Sequence, residues 1–234
     1  DDLFGSSGGI YSNPSLREER MGSIALFDGE DGFSLDCGIK IHGATSRFAQ
    51  RKKSMKLSFR SRYDGELNYD LFENGVTAFS SVLLRAAQED TFSTHMRDVF
   101  MHQLAIKCFP TLLAQDYKYT VLYINGEYWG VYAFREAHSA DSYANHYGYD
   151  ADTVTQYKEA WAADSATAEL FNFMRYNRVS DNDENYAYIS SHIDVDSLIG
   201  WTIIQAYCGN MGDNPPNFRM YYSTQDDMSR YALV

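Results

Sequence analysis

Between Arg47 and Arg62 the chain carries seven basic residues (Arg47, Arg51, Lys52, Lys53, Lys56, Arg60, Arg62) and no acid. Within this run Lys52, Ser54, Lys56, Ser58 and Arg60 alternate with Lys53, Met55, Leu57 and Phe59. A period of two fits a strand with one buried face and does not fit a helix. One face would bury Met55, Leu57 and Phe59; the other would present Lys52, Lys56 and Arg60 with two hydroxyls between them. Just upstream Ile39 and Ile41 alternate with Lys40 and His42, and Gly43 ends that run. The unit predicted is a hairpin of two strands joined by 44–51. Lysines on a solvated edge strand, where they discourage aggregation, would give the same pattern. The alternative is a cationic ribbon built for one anionic ligand.

The surrounding charge sharpens that contrast. The remainder of the chain sets 13 basic residues against 32 acidic ones, and the whole carries a net charge of −12. This balance speaks against general nucleic-acid binding, which needs a broad cationic surface, and against docking on an anionic membrane. No run of 18 apolar residues is present, so no membrane insertion is expected. The first residues show no signal-peptide pattern. At 234 residues the chain is long enough for a sizeable core. Cys37, Cys108 and Cys208 are far apart and odd in number, which points to buried free thiols rather than a disulfide framework or a metal site.

Along the chain, an irregular lead-in is followed by strands over 22–27, 35–42 and 52–60, a polar connection over 63–74, and a strand over 81–86. A helix is predicted over 91–108, with Thr91, Ser93 or Thr94 as its cap. Asn125-Gly126 between two aromatic-rich alternating runs, 117–124 and 128–135, predicts a hairpin, because both central residues need positive φ. Helices follow over 139–147, 164–176 and 194–207, with a strand over 153–158, a polar turn over 181–185, and a closing hairpin of 217–224 and 231–234. The last long helix would bury Val195, Leu198, Ile199, Thr202, Ile203 and Ala206. Strands dominate the first half and helices the second, so the expected class is α+β.

Few constellations carry chemistry on residue type alone. In the loop Asn210…Asp213, Asn214…Asn217, oxygens of Asp213 and Asn217 are ligands that hard cations such as Mg²⁺ favour. The same residues also dominate ordinary turns. Asp181-x-Asp183-x-Asn185 starts like a calcium loop but has Tyr186 where the sharp bend needs glycine. Glu127 and Glu136 form a weak candidate carboxylate pair for glycoside hydrolysis. His95/His102 and His138/His146 lack the short helical spacing of paired metal ligands.

Taken in order, these segments resemble the CotH family, the spore-coat-H-like atypical protein kinases of bacteria. The resemblance is carried by GIYSNP, by GIKIHGATSR followed by KKSMKLSFR, and by LLRAAQEDTFSTHMRD with Asp90, Ser93, Arg97 and Asp98. It continues through YINGEYWGVYAFREAH, which runs into Glu136, then QYK with Lys158, and the Asn210…Asp213…Asn217 loop. It implies one kinase-like domain over 1–234, of a distant protein-kinase-like fold, binding ATP with Mg²⁺ or Mn²⁺ and transferring the γ-phosphoryl group to serine of a protein substrate. Phosphoryl transfer asks mainly for positioning and charge neutralisation. On this resemblance Arg47, Lys52, Lys56 and Lys158 contact the phosphates, Glu136 orients a lysine, and Asp213 with Asn217 holds the metal. Asp213 and Glu136 are then the catalytic candidates. The family's second metal acid would follow Val234, so the expectation is a domain cut short at its C-terminal end. The double proline Pro215-Pro216 leaves open which amide, Asn214 or Asn217, matches. An extracellular, cell-surface or spore-coat location is implied in the same way.

A second reading keeps the fold and drops the catalysis. A non-catalytic surface module would use Trp129, Trp161 and Trp201, with the abundant tyrosines, to bind carbohydrate or protein. Metal-dependent nucleotide affinity separates the two readings.

Overall fold

The computed structural model describes residues 2–87, 90, 93–157, 165–178, 182–210 and 219–232. It combines helices with antiparallel sheets, an α+β chain. The chain divides into two compact units, Asp1–Asp98 with Asp116–Ala137, and Val99–Gln115 with His138–Val234.

The first unit is built on an antiparallel sheet. Its strands are β1 (Arg20–Asp28), β2 (Asp31–His42), β3 (Ser54–Ser58), β6 (Ser81–Arg85), β7 (Tyr117–Ile124) and β8 (Glu127–Glu136). They lie in the order β1-β2-β3-β6-β8-β7. In the stretch 63–74, expected as a plain connection, β4 (Leu67–Asn68) forms a small ribbon with β5 (Ala78–Phe79) beyond it. The β7–β8 turn falls where its dipeptide puts it, with Asn125 and Gly126 at φ 52° and 83°, and the β1–β2 turn uses Gly29 at φ 68°.

Alternation places Ile41, Met55, Leu57, Val82, Leu84 and Phe134 on one sheet face, all in one buried cluster. The lead-in joins that cluster through Ile10 and Tyr11. The Tyr11 hydroxyl donates to Arg51 O at 2.9 Å and accepts from Lys53 N at 3.0 Å, which fixes the entry to β3. The two edge strands, β1 and β7, line a common cavity of about 900 Å³.

The third strand is shorter than its alternation predicts, because Lys53 turns back. Its ammonium donates to Arg47 O at 2.5 Å and Gln50 O at 2.9 Å, closing the bend after the single-turn helix α1 (Ser46–Ala49). The helix expected from Thr91 starts at Arg97, as α2 (Arg97–Cys108). Asp90 sets that start: its carboxylate accepts from the N–H groups of Thr94 at 3.1 Å, Met96 at 2.8 Å and Arg97 at 3.1 Å. Thr91 lies outside the described residues.

The second unit holds most of α2, then α3 (Ala140–Tyr147), α4 (Ser165–Tyr176), α5 (Asp183–Ser190) and α6 (Val195–Tyr207). A three-stranded sheet of β9 (Val154–Tyr157), β10 (Arg219–Ser223) and β11 (Met228–Ala232) runs in the order β11-β10-β9. Ser139 caps α3 and Gly148 ends it with φ 70°.

Three expectations are corrected here. The polar run at 181–185 is in part the start of a helix, since Asn182 accepts from Asn185 N at 2.8 Å and Asp183 and Glu184 fill a favourable first turn. In α6 the buried stripe is Ser197, Gly200, Ile204 and Gln205, while Ile199 and Ile203 are 47% and 48% exposed. Small residues decide this face. A Cβ at Gly200 would come within 2.9 Å of the Phe109 side chain, and Ser197 Oγ accepts from Tyr231 N at 3.1 Å. The thiols also divide: Cys37 is buried, whereas Cys108 and Cys208 are exposed.

Candidate functional site

The strand register of the first unit sorts its charges. Lys40 on β2 faces Lys56 on β3, and Lys56 faces Leu83 on β6, which faces Arg135 on β8. One rung along, His42 faces Ser54, and the β3–β6 register carries Arg85 to the same rung. Side chains two apart share a face, so Lys40, His42, Lys56, Arg85 and Arg135 lie together, opposite the apolar core face. Arg47 on α1 is also within electrostatic reach of His42. The seven-cation run thus contributes only part of this face, and three other strands supply the rest.

Acids hold the inner end of that surface in place. Arg135 is 0% exposed and pairs with Asp98 at 2.9 Å, while Arg85 meets the same carboxylate at 3.0 Å. A buried guanidinium needs such a partner, since an unpaired buried charge is strongly destabilising. Asp98 is presented by the first turn of α2, whose start depends on Asp90. Burial alone would raise the Asp90 carboxyl, but the Thr94 hydroxyl and the backbone N–H groups of Arg97, Thr94 and Met96 outweigh it. They hold the group well below the usual carboxylate range. Arg97 Nε adds an ion pair to Asp90 at 3.3 Å.

Four other cations of the run make contacts of their own. Arg60, at 3.2 Å, and Arg62 both pair with Glu19, which also accepts from the Tyr63 hydroxyl at 3.0 Å. Arg47, 3% exposed, donates to Pro14 O at 3.0 Å and Ala44 O at 3.4 Å. Lys52 lies outside β3; it donates to Val131 O and sits 4.5 Å over the Tyr132 ring. Burial lowers the Lys52 ammonium from its ordinary value.

Glu136 is buried at the end of β8 and accepts from Asn74 Nδ2 at 3.3 Å. It follows Arg135, so it points to the sheet face opposite Lys56. Lys158, Asp213 and Asn217 lie outside the described residues. Among the described residues no group of three or more His, Cys, Asp or Glu is placed to hold a metal ion.

The weaker candidates resolve more simply. Glu127 and Glu136 end opposite ends of the ten-residue strand β8, roughly 30 Å apart at strand rise, far beyond the spacing glycoside hydrolysis uses. His102 is packed, its Nδ1 accepting from Gln115 N at 2.9 Å. Trp129 is half-buried against Phe4 and Tyr11, and Trp201 against Tyr231; Trp161 lies outside the described residues. Arg85 and Arg135 were not legible as site residues, because only pairing reveals that they share a face with Lys56. Lys40 and His42 left a signal, their alternation with Ile39 and Ile41.

Residues 39–233, spanning both units, match the family described as CotH kinase protein. The chain belongs to the CotH kinase family. A search of the curated proteins finds no match. The family match opens at Ile39, inside β2, so the whole of β1 precedes it, while every cation of the shared face falls within it. Among the described residues of this CotH-family chain, no helix is long and apolar enough to cross a membrane.

Proposed function

We propose that this CotH-family chain is an ATP-dependent protein kinase whose phosphate-binding surface is the cationic face of the first unit. The observation that carries the reading is the gathering of Lys40, Lys56 and Arg85 around His42, on one sheet face of a molecule whose net charge is −12. Phosphoryl transfer is catalysed chiefly by placing a triphosphate and neutralising its charge, and such a face supplies both. Screening confines the attraction to about 8–10 Å at physiological salt, so the local cations outweigh the distant acids. In this reading Asp213 and Asn217 hold Mg²⁺ or Mn²⁺, Lys158 adds a phosphate contact, and the acceptor is a serine of a protein substrate. The fold is then a distant relative of protein kinases, and the family points to a spore-coat or cell-surface setting.

The test is a calorimetric titration of ATP with and without Mg²⁺, on the natural chain and on Lys56→Ala and Asp213→Ala. The reading predicts metal-dependent binding, weakened roughly tenfold or more in K56A, as expected for losing one desolvated charge contact. It also predicts that D213A loses the metal dependence. Transfer of labelled phosphate to a serine-containing protein tests the catalytic step. Absence of binding at millimolar ATP would overturn the reading in favour of a non-catalytic module.

A further inference from the structure

We propose that His42 is a further anion-binding residue of the cationic face, one that takes up a proton when a polyanion settles among Lys40, Lys56 and Arg85. The proposal rests on the phosphate-binding surface put forward above and adds to it a residue and a proton.

The geometry puts an imidazole where another cation is costly unless an anion is bound. His42 ends β2, half-buried, on the rung shared with Ser54. Lys40 lies two residues back on its own strand, Lys56 lies diagonally across on β3, and Arg85 follows on β6. From α1, Arg47 adds a fourth positive charge. Among the described residues, Asp98 at the start of α2 is an acid beside this group, already shared by Arg85 and Arg135. Burial first, then repulsion from Arg85, Lys56, Arg47 and Lys40, pushes the ring down to about 4. Without a bound anion, His42 is therefore a neutral imidazole at neutral pH, with one N–H to donate.

A dianion among those cations reverses the sign of the field at the ring. The same arrangement that disfavours imidazolium then favours it, and protonation turns the free ring nitrogen into a second donor toward the anion. The proton comes from solvent and no bond other than N–H is made. Because the bound-state pKa lies above the free-state value, the added affinity is fully present below about 4 and is lost as pH rises through the bound value. Each unit of upward shift corresponds to up to about tenfold in affinity. The linkage would make phosphate capture stronger in mildly acidic surroundings.

Sulfate is the suitable probe, since its own charge is constant between pH 4 and 8. The His42 ring is followed by NMR in the natural chain, its signal assigned as the one missing from His42→Gln. The expected result is a pKa near 4 without sulfate, rising by about one unit or more at saturation. Sulfate affinity in the natural chain should rise up to about tenfold from pH 7 to pH 4.5, with most of that rise absent in H42Q. Proton uptake on binding, measured calorimetrically in two buffers of different ionisation enthalpy, needs no variant. If sulfate shifts the amide signals of Lys40 and Lys56 while the His42 pKa stays put, the proposal falls and the anion surface stands. If sulfate perturbs none of these residues, the anion surface itself is overturned, and the proposal with it.

Discussion

Asp90 shows how much one carboxylate can organise. It ties Thr94, Met96 and Arg97 into the turn that starts α2, and α2 then presents Asp98 to Arg85 and Arg135. Asp90→Ala should cost about 1–2 kcal/mol by removing a cap, read from urea unfolding. Asp90→Asn retains a capping oxygen and should cost less. The pH dependence separates charge from shape. A carboxyl held below its ordinary value of 3.8 contributes stability above that value and loses it as pH falls through the folded-state pKa. Acid unfolding of D90N should therefore be shallower below pH 4 than that of the natural chain. Asp98→Ala leaves the buried Arg135 without this partner and should cost about 3 kcal/mol, whereas Lys56→Ala, at a half-buried position, should change stability little while weakening anion binding.

Among the elements, β1 stands out for what it does not carry. Its seven residues from Met21 to Phe27 include no charge, and Phe27 is 89% exposed. Edge strands are normally blunted by lysine, proline or a bulge, so this edge should drive self-association. Phe27→Lys should reduce light scattering at high concentration with the unfolding midpoint nearly unchanged, within about 0.5 kcal/mol. A rise in aggregation would contradict that view of the strand. The α6 stripe teaches a related lesson. A helix apolar on several sides does not announce which side is buried, and here the answer came from Ser197 and Gly200, whose small size lets Phe109 and the β11 backbone approach.

Over the whole molecule, the two units keep separate apolar clusters. Leu57 belongs to the first, and Ile204 to the second. Leu57→Ala and Ile204→Ala should each cost about 2–5 kcal/mol. With no shared neighbours in these clusters their effects should add within about 0.5 kcal/mol in the double variant. A net charge of −12 sets the other global property: long-range repulsion should slow the approach of a polyanion and fade with added salt, while the contact with Lys40, Lys56 and Arg85 is retained to a greater degree because it is partly buried.

Local chemistry alone determined the strands around 20–42 and 54–58, the Asn125-Gly126 turn, the helices over 139–147 and 194–207, and the α+β class, since each depends on neighbours within a few residues. The family was also legible from ordered motifs. Tertiary structure decided which cations act together. Sequence distance says nothing about strand order, and only the pairing of β2, β3, β6 and β8 brings Lys40, His42, Lys56, Arg85 and Arg135 to one face. It likewise drew Arg60 and Arg62 away to Glu19, because a charge pairs with whatever the fold sets within reach, not with its neighbours in the chain.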